Sequence, residues 1–377
     1  MTAPSLASEN RGTGAVDLSV LFVTRNEEKR IEACIRSAMD AVDEARRAGV
    51  IRSAEFLLVD SASTDRTVEI ASRFPVEIVS LEPHWPLSCG AGCFVGLNRA
   101  NGEYTAIVNG DMVIDRRWFA DVLPYVRADV AGVCGVATEE LPGRTVVERA
   151  VRRFSSVPLS VGTLPPEIAS HPGGYSTGTF LIRTRAARGV GSYNPFFRAA
   201  EDMDLRFRLL RAGWKVLNVP VYQGTHFWSS EGNPLDIGDY ARTIMRNSVG
   251  LGQMARYNSR RDAWVARQAF RQSLNARALL QASVALLGGS LVALVLLTLA
   301  TVRLEPGLIA ASGIALLFGG AVRGARRKRL AVGDYVFAEF LLPGLFVLLR
   351  TLGFLRGYGM APRGPKDYPT GARASKG

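Results

Sequence analysis

The feature that most constrains this chain is an alternation, from about residue 17 to 230, of short apolar runs with segments whose apolar residues recur at helical spacing. The run "LSVLFV" ends at Val23, and Ile31, Cys34, Ile35, Ala38 and Val42 then fall on one helical face. "EFLLVD" ends at Asp60, and Ser63 to Asp65 supply helix-start residues before the apolar Val68 and Ile70. "VEIVSL" reads as a third strand, and "YTAIVN" as a fourth after the glycine-rich stretch Cys89 to Asn101. Such alternation predicts an α/β fold with a mostly parallel sheet covered by helices, and open sheets of this kind bind ligands beyond the carboxyl ends of their strands.

That rule gathers the polar residues. Thr24, Asn26 and Glu27, then Asp60, then Asn109, Gly110 and Asp111 all directly follow predicted strands. One aspartate after a glycine is ordinary turn chemistry, but three strand-end clusters on one sheet edge point to a site. Asp65 has a second reading as a helix N-cap. Glu201, Asp202 and Asp204 sit at a helix start, where negative charge is favoured by the helix dipole. His226 follows another apolar strand, "KVLNVPV".

The formal net charge of +12 raises nucleic acid as a partner, but its placement argues for a membrane. Six arginines between Arg256 and Arg277 face one acid, Asp262, and "RGARRKR" occupies 323 to 329. These runs flank the 25 uncharged residues from Ala278 to Val302, long enough to cross a bilayer as a helix, and the 16 from Gly307 to Val322. The expectation is a transmembrane hairpin over 278–322 with both ends cytoplasmic, the arginines meeting lipid headgroups and no nucleic acid bound. The stretch 335–350 contains Glu339 and Pro343 and reads as an interfacial helix. The four cysteines contain no C-x-x-C pair, which excludes the usual zinc-binding pattern, and the first residues carry no signal-peptide pattern. The expected organisation is a flexible N-terminus (1–16), a cytoplasmic catalytic domain (17–235), amphipathic basic helices (236–277), the hairpin (278–322), and a basic loop, interfacial helix and tail (323–377).

In order along the chain, "VTRNEEKRIEACIRSA", "LLVDSASTDRT", "GEYTAIVNGDM" and "RAAEDMDLRFRLLRAGWKV" resemble the motifs of family 2 glycosyltransferases with a GT-A fold. The resemblance implies a nucleotide-sugar donor, with Asp60 on the base and Thr24, Asn26 and Glu27 in the loop that wraps it. Asn109-Gly110-Asp111 takes the place of the family's D-x-D motif, Asn109 replacing the first acid. Asp111 then becomes the carboxylate ligand of Mg²⁺ or Mn²⁺, and His226 falls where some members supply a second ligand. Glu201 and Asp202 match the E-D pair, whose aspartate is the general base of an inverting transfer. Ser176 to Thr184, with Gly178, resembles the donor-sugar and acceptor wall, and His84, Trp85, Arg99 and the glycine-rich "SCGAGCFVGLN" fall where the family lines the pyrophosphate. No Q-x-x-R-W motif accompanies these, so one transfer per binding event is expected.

The function implied is a membrane-anchored, multi-pass inverting glycosyltransferase acting on a hydroxyl of a lipid-linked or cell-envelope glycan. Two rivals are a polyprenyl-phosphate glycosyltransferase, whose anionic acceptor needs no base, and a non-catalytic membrane protein that only binds sugar nucleotides.

Overall fold

The computed structural model describes residues 16–140, 168–169, 179–227, 236–273, 321–327, 342–368 and 373–374. The first half follows the predicted alternation: β1 (Leu18–Thr24), α1 (Ile31–Arg47), β2 (Ala54–Asp60), α2 (Thr67–Ala71), β3 (Glu77–Ser80), α3 (Cys89–Arg99) and β4 (Tyr104–Asn109). Helix α1 forms as its pattern demands. Ile31, Cys34, Ile35, Ala38, Ala41, Val42 and Ala45 are buried along one face, with Glu32 in the first turn and Arg46 and Arg47 in the last, where each charge suits the helix dipole.

Strands β3, β2, β1 and β4 lie parallel and adjacent. Along β1, Leu18, Val20 and Phe22 pack into the core under α1, whereas Leu21 and Val23 pack on the other face under α3. α3 approaches that face closely, because a side chain at Gly92 or Gly96 would collide with Val23 or Leu21.

Beyond β4 the sheet is mixed, which corrects the expectation of a mostly parallel one. β8 (Thr179–Arg183) lies antiparallel against β4, and β6 (Val130–Glu140) antiparallel against β8. The long β9 (Lys215–Phe227) runs parallel to β6 and carries antiparallel partners in β5 (Met112–Ile114) and β7 (Ile168–Ala169). β10 (Arg373–Ala374) closes the other edge, antiparallel to β3. The physical reason is that an apolar run records burial, whereas strand direction depends on partners distant in the chain: Tyr104 pairs with Arg183. α4 (Trp118–Val122) joins the α1 side, while α5 (Thr184–Gly189) and α6 (Glu201–Arg211) join the α3 side.

After the sheet come α7 (Ile237–Asn258) and α8 (Ala263–Ser273). α9 (Leu342–Gly359) packs along α7, where Gly252, Gly353 and Gly357 leave no room for a β-carbon. Phe197, Phe207, Met254, Val265 and Phe354 join α6 to these helices in a separate apolar cluster. Among the described residues no helix is long and apolar enough to cross a membrane. The expected hairpin lies, over 278–320, outside the described residues. Of the expected interfacial segment, the part from Leu342 onward lies in α9, which continues to Gly359.

Candidate active site

Register brings three strand ends together. Thr24 pairs with Asp60 across β1 and β2, and Val23 with Asn109 across β1 and β4. The Gly110 amide donates to Val23 O at 3.0 Å, which turns the chain sharply over the end of β1. A β-carbon at Gly110 would sit 2.6 Å from Thr24 Oγ1 and 3.1 Å from Glu27 Cγ, so only glycine fits between these side chains. The next residue, Asp111, is thereby delivered beside Glu27.

The loops after β1 and β2 clasp each other. Asn26 adopts a left-handed backbone (φ 57°), its amide donates to Ser63 Oγ at 2.8 Å, and its Oδ1 accepts from the Thr64 amide at 2.9 Å. Asp65 accepts from the Thr67 amide and hydroxyl and from the Glu28 amide and so bridges the two loops, although the N-cap position of the helix from Thr67 to Ala71 is Arg66. Through these contacts Asn26 and Asp65 hold the two loops together beside Asp60, the last residue of β2. Asp60 is buried, its Oδ2 accepts from the Ser63 amide at 2.9 Å, and its Oδ1 has no protein partner. Burial raises its pKa above the ordinary carboxylate range, opposed by the Ser63 hydrogen bonds.

Asp111 meets His226 because β5 pairs antiparallel with the end of β9, opposing Met112 to His226. His226 Nε2 lies 3.2 Å from Asp111 Oδ2, and Asp111 Oδ1 is buried with no protein partner. Glu27 adds a second carboxyl, whose pKa rises to about 7 through burial first and the Asp111 charge next. Among the described residues no cluster of three or more His, Cys, Asp or Glu side chains forms a ready-made metal cage. The Asp111 carboxylate nevertheless suits Mg²⁺ or Mn²⁺, hard cations commonly bound by one or two protein groups plus phosphate oxygens and water, and the His226 imidazole would favour Mn²⁺ over Mg²⁺. The unpartnered Asp111 oxygen and the crowding of two carboxyls are what a bound cation would relieve.

The E-D pair reaches the same place from the opposite side. α6 begins directly after Ala200, itself left-handed at φ 67°. A β-carbon at Gly90 would sit 3.1 Å from Glu201 Cβ and 2.7 Å from Asn194 O, so α3 and the start of α6 touch through a glycine. Cys89 beside it brings its Sγ to 4.0 Å from Asn109 Oδ1 and 3.9 Å from Cys93 Sγ. Glu201 is pushed up to about 7 by burial and by the Asp202 charge, and its Oε2 is shut off from solvent without a partner. Asp202 is part-buried, with Oδ1 accepting from the Met203 amide at 2.7 Å. Asp204 faces away from the crevice. Fully buried, it pairs with Arg208 at 2.7 Å and accepts from Asn258 at 2.9 Å, tying α6 to α7.

Thus Thr24, Glu27, Asp60, Asn109, Gly110, Asp111 and His226 gather at one edge of the sheet, and Glu201, with Asp202 beside it, approaches that edge where the start of α6 abuts Gly90. Arg99 does not. It lies in the last turn of α3 and pairs with Glu77, the first residue of β3, at 2.9 Å and thus at the amino edge of the sheet. His84 and Trp85 stack edge to face, Trp85 packing on Tyr368, and Gly178 lies outside the described residues. Sequence reasoning missed Cys89 and Gly90, where the two clusters meet. The Ser88 side chain capping the Ala91 amide at 3.1 Å marks where α3 starts, but its target across the crevice is non-local.

Residues 19–200 match the family model described as Glycosyl transferase family 2. The mannosyltransferase PcManGT of Pyrobaculum calidifontis, solved with GDP-Man and Mn²⁺, is similar in fold with a TM-score of 0.53 at 15% identity, over 91% of this chain and 88% of that one. TarS 1–349 of S. aureus, solved with UDP-GlcNAc, gives a TM-score of 0.47 at 14% identity, over 91% and 89%. No curated protein matches the sequence. The described α/β part is a GT-A-like glycosyltransferase fold, a mixed, curled sheet flanked by helices.

Proposed function

We propose that the chain is an inverting glycosyltransferase that moves a sugar from a nucleoside diphosphate donor to a hydroxyl of a lipid-linked or cell-envelope glycan. The observation that carries this reading is the meeting of two clusters at the start of α3: Cys89 Sγ lies 4.0 Å from Asn109 Oδ1, at the end of β4, and a β-carbon on the next residue, Gly90, would sit 3.1 Å from Glu201 Cβ, at the start of α6. A donor-binding edge and a pair of carboxyls on the acceptor side thereby share one crevice.

Asp60 Oδ1 is free to accept an N–H from the donor base, which a carboxylate does and a hydroxyl-only wall would do less well. Thr24 and Glu27 close the loop over that base. Asp111 and His226 would hold a divalent cation, with Asn109 able to hydrogen-bond a ribose or a metal-bound water. When bound, the cation stabilises negative charge on the departing diphosphate. Asp202 accepts the proton of the acceptor hydroxyl as its oxygen bonds to the anomeric carbon and the bond to the diphosphate breaks. Glu201 holds its own proton up to about 7 and sets the polarity beside the base. The shared fold with a mannosyltransferase solved with GDP-Man and Mn²⁺ supports the donor class and the cation.

The arginine-rich helices and the uncharged segments after Arg277 support attachment to the cytoplasmic face of the cell membrane, through lipid contact. Product analysis with the whole chain in membranes, against a panel of nucleotide sugars, tests the proposal. A glycoside is expected; a sugar phosphate would favour transfer to polyprenyl phosphate, and binding without turnover a non-catalytic role. Asp202→Asn is expected to lower kcat about 10²- to 10⁴-fold, and full turnover would sink the base assignment.

A further inference from the structure

The irregular segment Asn194 to Ala200, which delivers Glu201 and Asp202, is held from three directions. From α3, Ser88 Oγ donates to Pro195 O at 2.8 Å and Gly90 abuts Asn194 O. From α7, Gln253 accepts from the Arg198 amide at 2.9 Å and donates to Phe196 O at 3.2 Å. The third hold comes from the far end of the chain. Asn194 Nδ2 donates to Arg363 O at 3.0 Å, and the Arg363 guanidinium lies over the Phe196 ring, 5.7 Å from its centroid.

That tail segment is itself firmly seated. Tyr368 is only 3% exposed, and its ring stands edge to face against Trp85, Phe94 and Phe196 at centroid distances of 5.5, 5.8 and 5.8 Å. Its hydroxyl donates to Pro86 O at 3.2 Å. The Gly364 amide donates to Asp367 Oδ2 at 2.8 Å, and a β-carbon at Gly364 would lie 2.6 Å from Tyr257 Oη. One side chain therefore clamps the loop before α3 to the loop before α6, the two segments that meet at Gly90 and Glu201.

We infer that residues 361–368, anchored by Tyr368, form a strap that positions the loop carrying Glu201 and Asp202 against the donor edge. Tyr368 is a positioning residue: it touches no reacting atom and acts through Phe196 and Asn194. This rests on the general-base reading of Asp202 for its catalytic consequence, but not for the mechanical one. Edge-to-face packing supplies most of the anchoring, so the ring matters more than the hydroxyl. Because Ala200 is held left-handed, releasing one of the three holds lets the segment relax toward ordinary backbone angles and withdraws the pair.

Hydrogen exchange read by mass spectrometry on the whole chain tests the mechanical claim, comparing Tyr368→Ala, Tyr368→Leu and Tyr368→Phe. Peptides covering 194–203 are expected to exchange at least tenfold faster in Tyr368→Ala, with 18–24 and 104–109 unchanged and Tyr368→Phe near the parent. Tyr368→Leu keeps volume without the aromatic edge and stands in should the alanine variant fail to fold. In parallel, kcat should fall at least tenfold while the dissociation constants of GDP and UDP with Mn²⁺ stay within twofold. Unchanged exchange over 194–203, or faster exchange with undiminished kcat, would overturn the strap. Faster exchange in Tyr368→Ala together with full activity in Asp202→Asn would instead keep the strap and remove the base.

Discussion

His226 Nε2 stands 3.2 Å from Asp111 Oδ2, a contact made across two strands whose residues are far apart in sequence. With the second oxygen of Asp111 buried and unpartnered, this pair is where a cation and a diphosphate would meet. A ligand at 100 times its dissociation constant stabilises a fold by about 2.7 kcal/mol, so GDP or UDP with Mn²⁺ should raise Tm measurably. Asp111→Ala is expected to abolish the Mn²⁺-dependent part of that rise and His226→Ala to reduce it, leaving Tm without nucleotide near the parent.

Gly110 is the pivot that aims Asp111. An alanine there must push against Thr24 Oγ1, and overpacking of this kind costs about 1–3 kcal/mol. Gly110→Ala should lower the denaturant midpoint and weaken nucleotide binding together. Adding Thr24→Ala, which removes the hydroxyl in the way, should recover part of the stability, and strictly additive losses in the double-mutant cycle would refute the steric account.

Two aspartates in one helical turn are expected to fail differently. Asp204 is fully buried between Arg208 and Asn258, so Asp204→Ala leaves the part-buried Arg208 with only its backbone acceptors Val190 O and Ser192 O, strips the Asn258 amide of one acceptor, and should cost about 1–3 kcal/mol. Asp202→Asn should leave thermal unfolding within about 0.5 kcal/mol of the parent while lowering kcat about 10²- to 10⁴-fold. Equal stability losses in the two variants would contradict the division of labour between them.

Glu201 gives the fold a pH signature. Its native pKa of about 7 lies above the ordinary 4.5, so between those values the folded chain holds a proton that the unfolded chain has released. The stability it contributes is fully present below about 4.5 and is lost as pH rises through 7. Glu201→Gln should therefore match the parent at pH 4 and exceed it by roughly 1–2 kcal/mol at pH 8, a figure reduced for the partial exposure of the residue. Parallel curves of stability against pH for the two proteins would rule out a raised carboxyl at this position.

Local pattern was enough for much of this molecule. The period of the apolar residues around Ile31 to Val42 specified α1, and the runs ending at Val23, Asp60 and Asn109 specified three strands whose ends coincide, because side-chain periodicity is a local property that burial reads directly. Strand-end position singled out Asp60 and Asp111, and the resemblance to family 2 motifs singled out the E-D pair. What local pattern could not supply was direction, partner and spare bonding capacity. Nothing in "TFLIR" says that it runs antiparallel to β4, and nothing near Asp65 or Asn26 says that their oxygens are consumed by neighbouring loops while that of Asp60 is left over. Arg99, Cys89 and Tyr368 make the same point. One was expected in the crevice and lies at the other edge of the sheet, while the other two make contacts with Asn109 and Phe196 that only the assembled tertiary structure brings within reach.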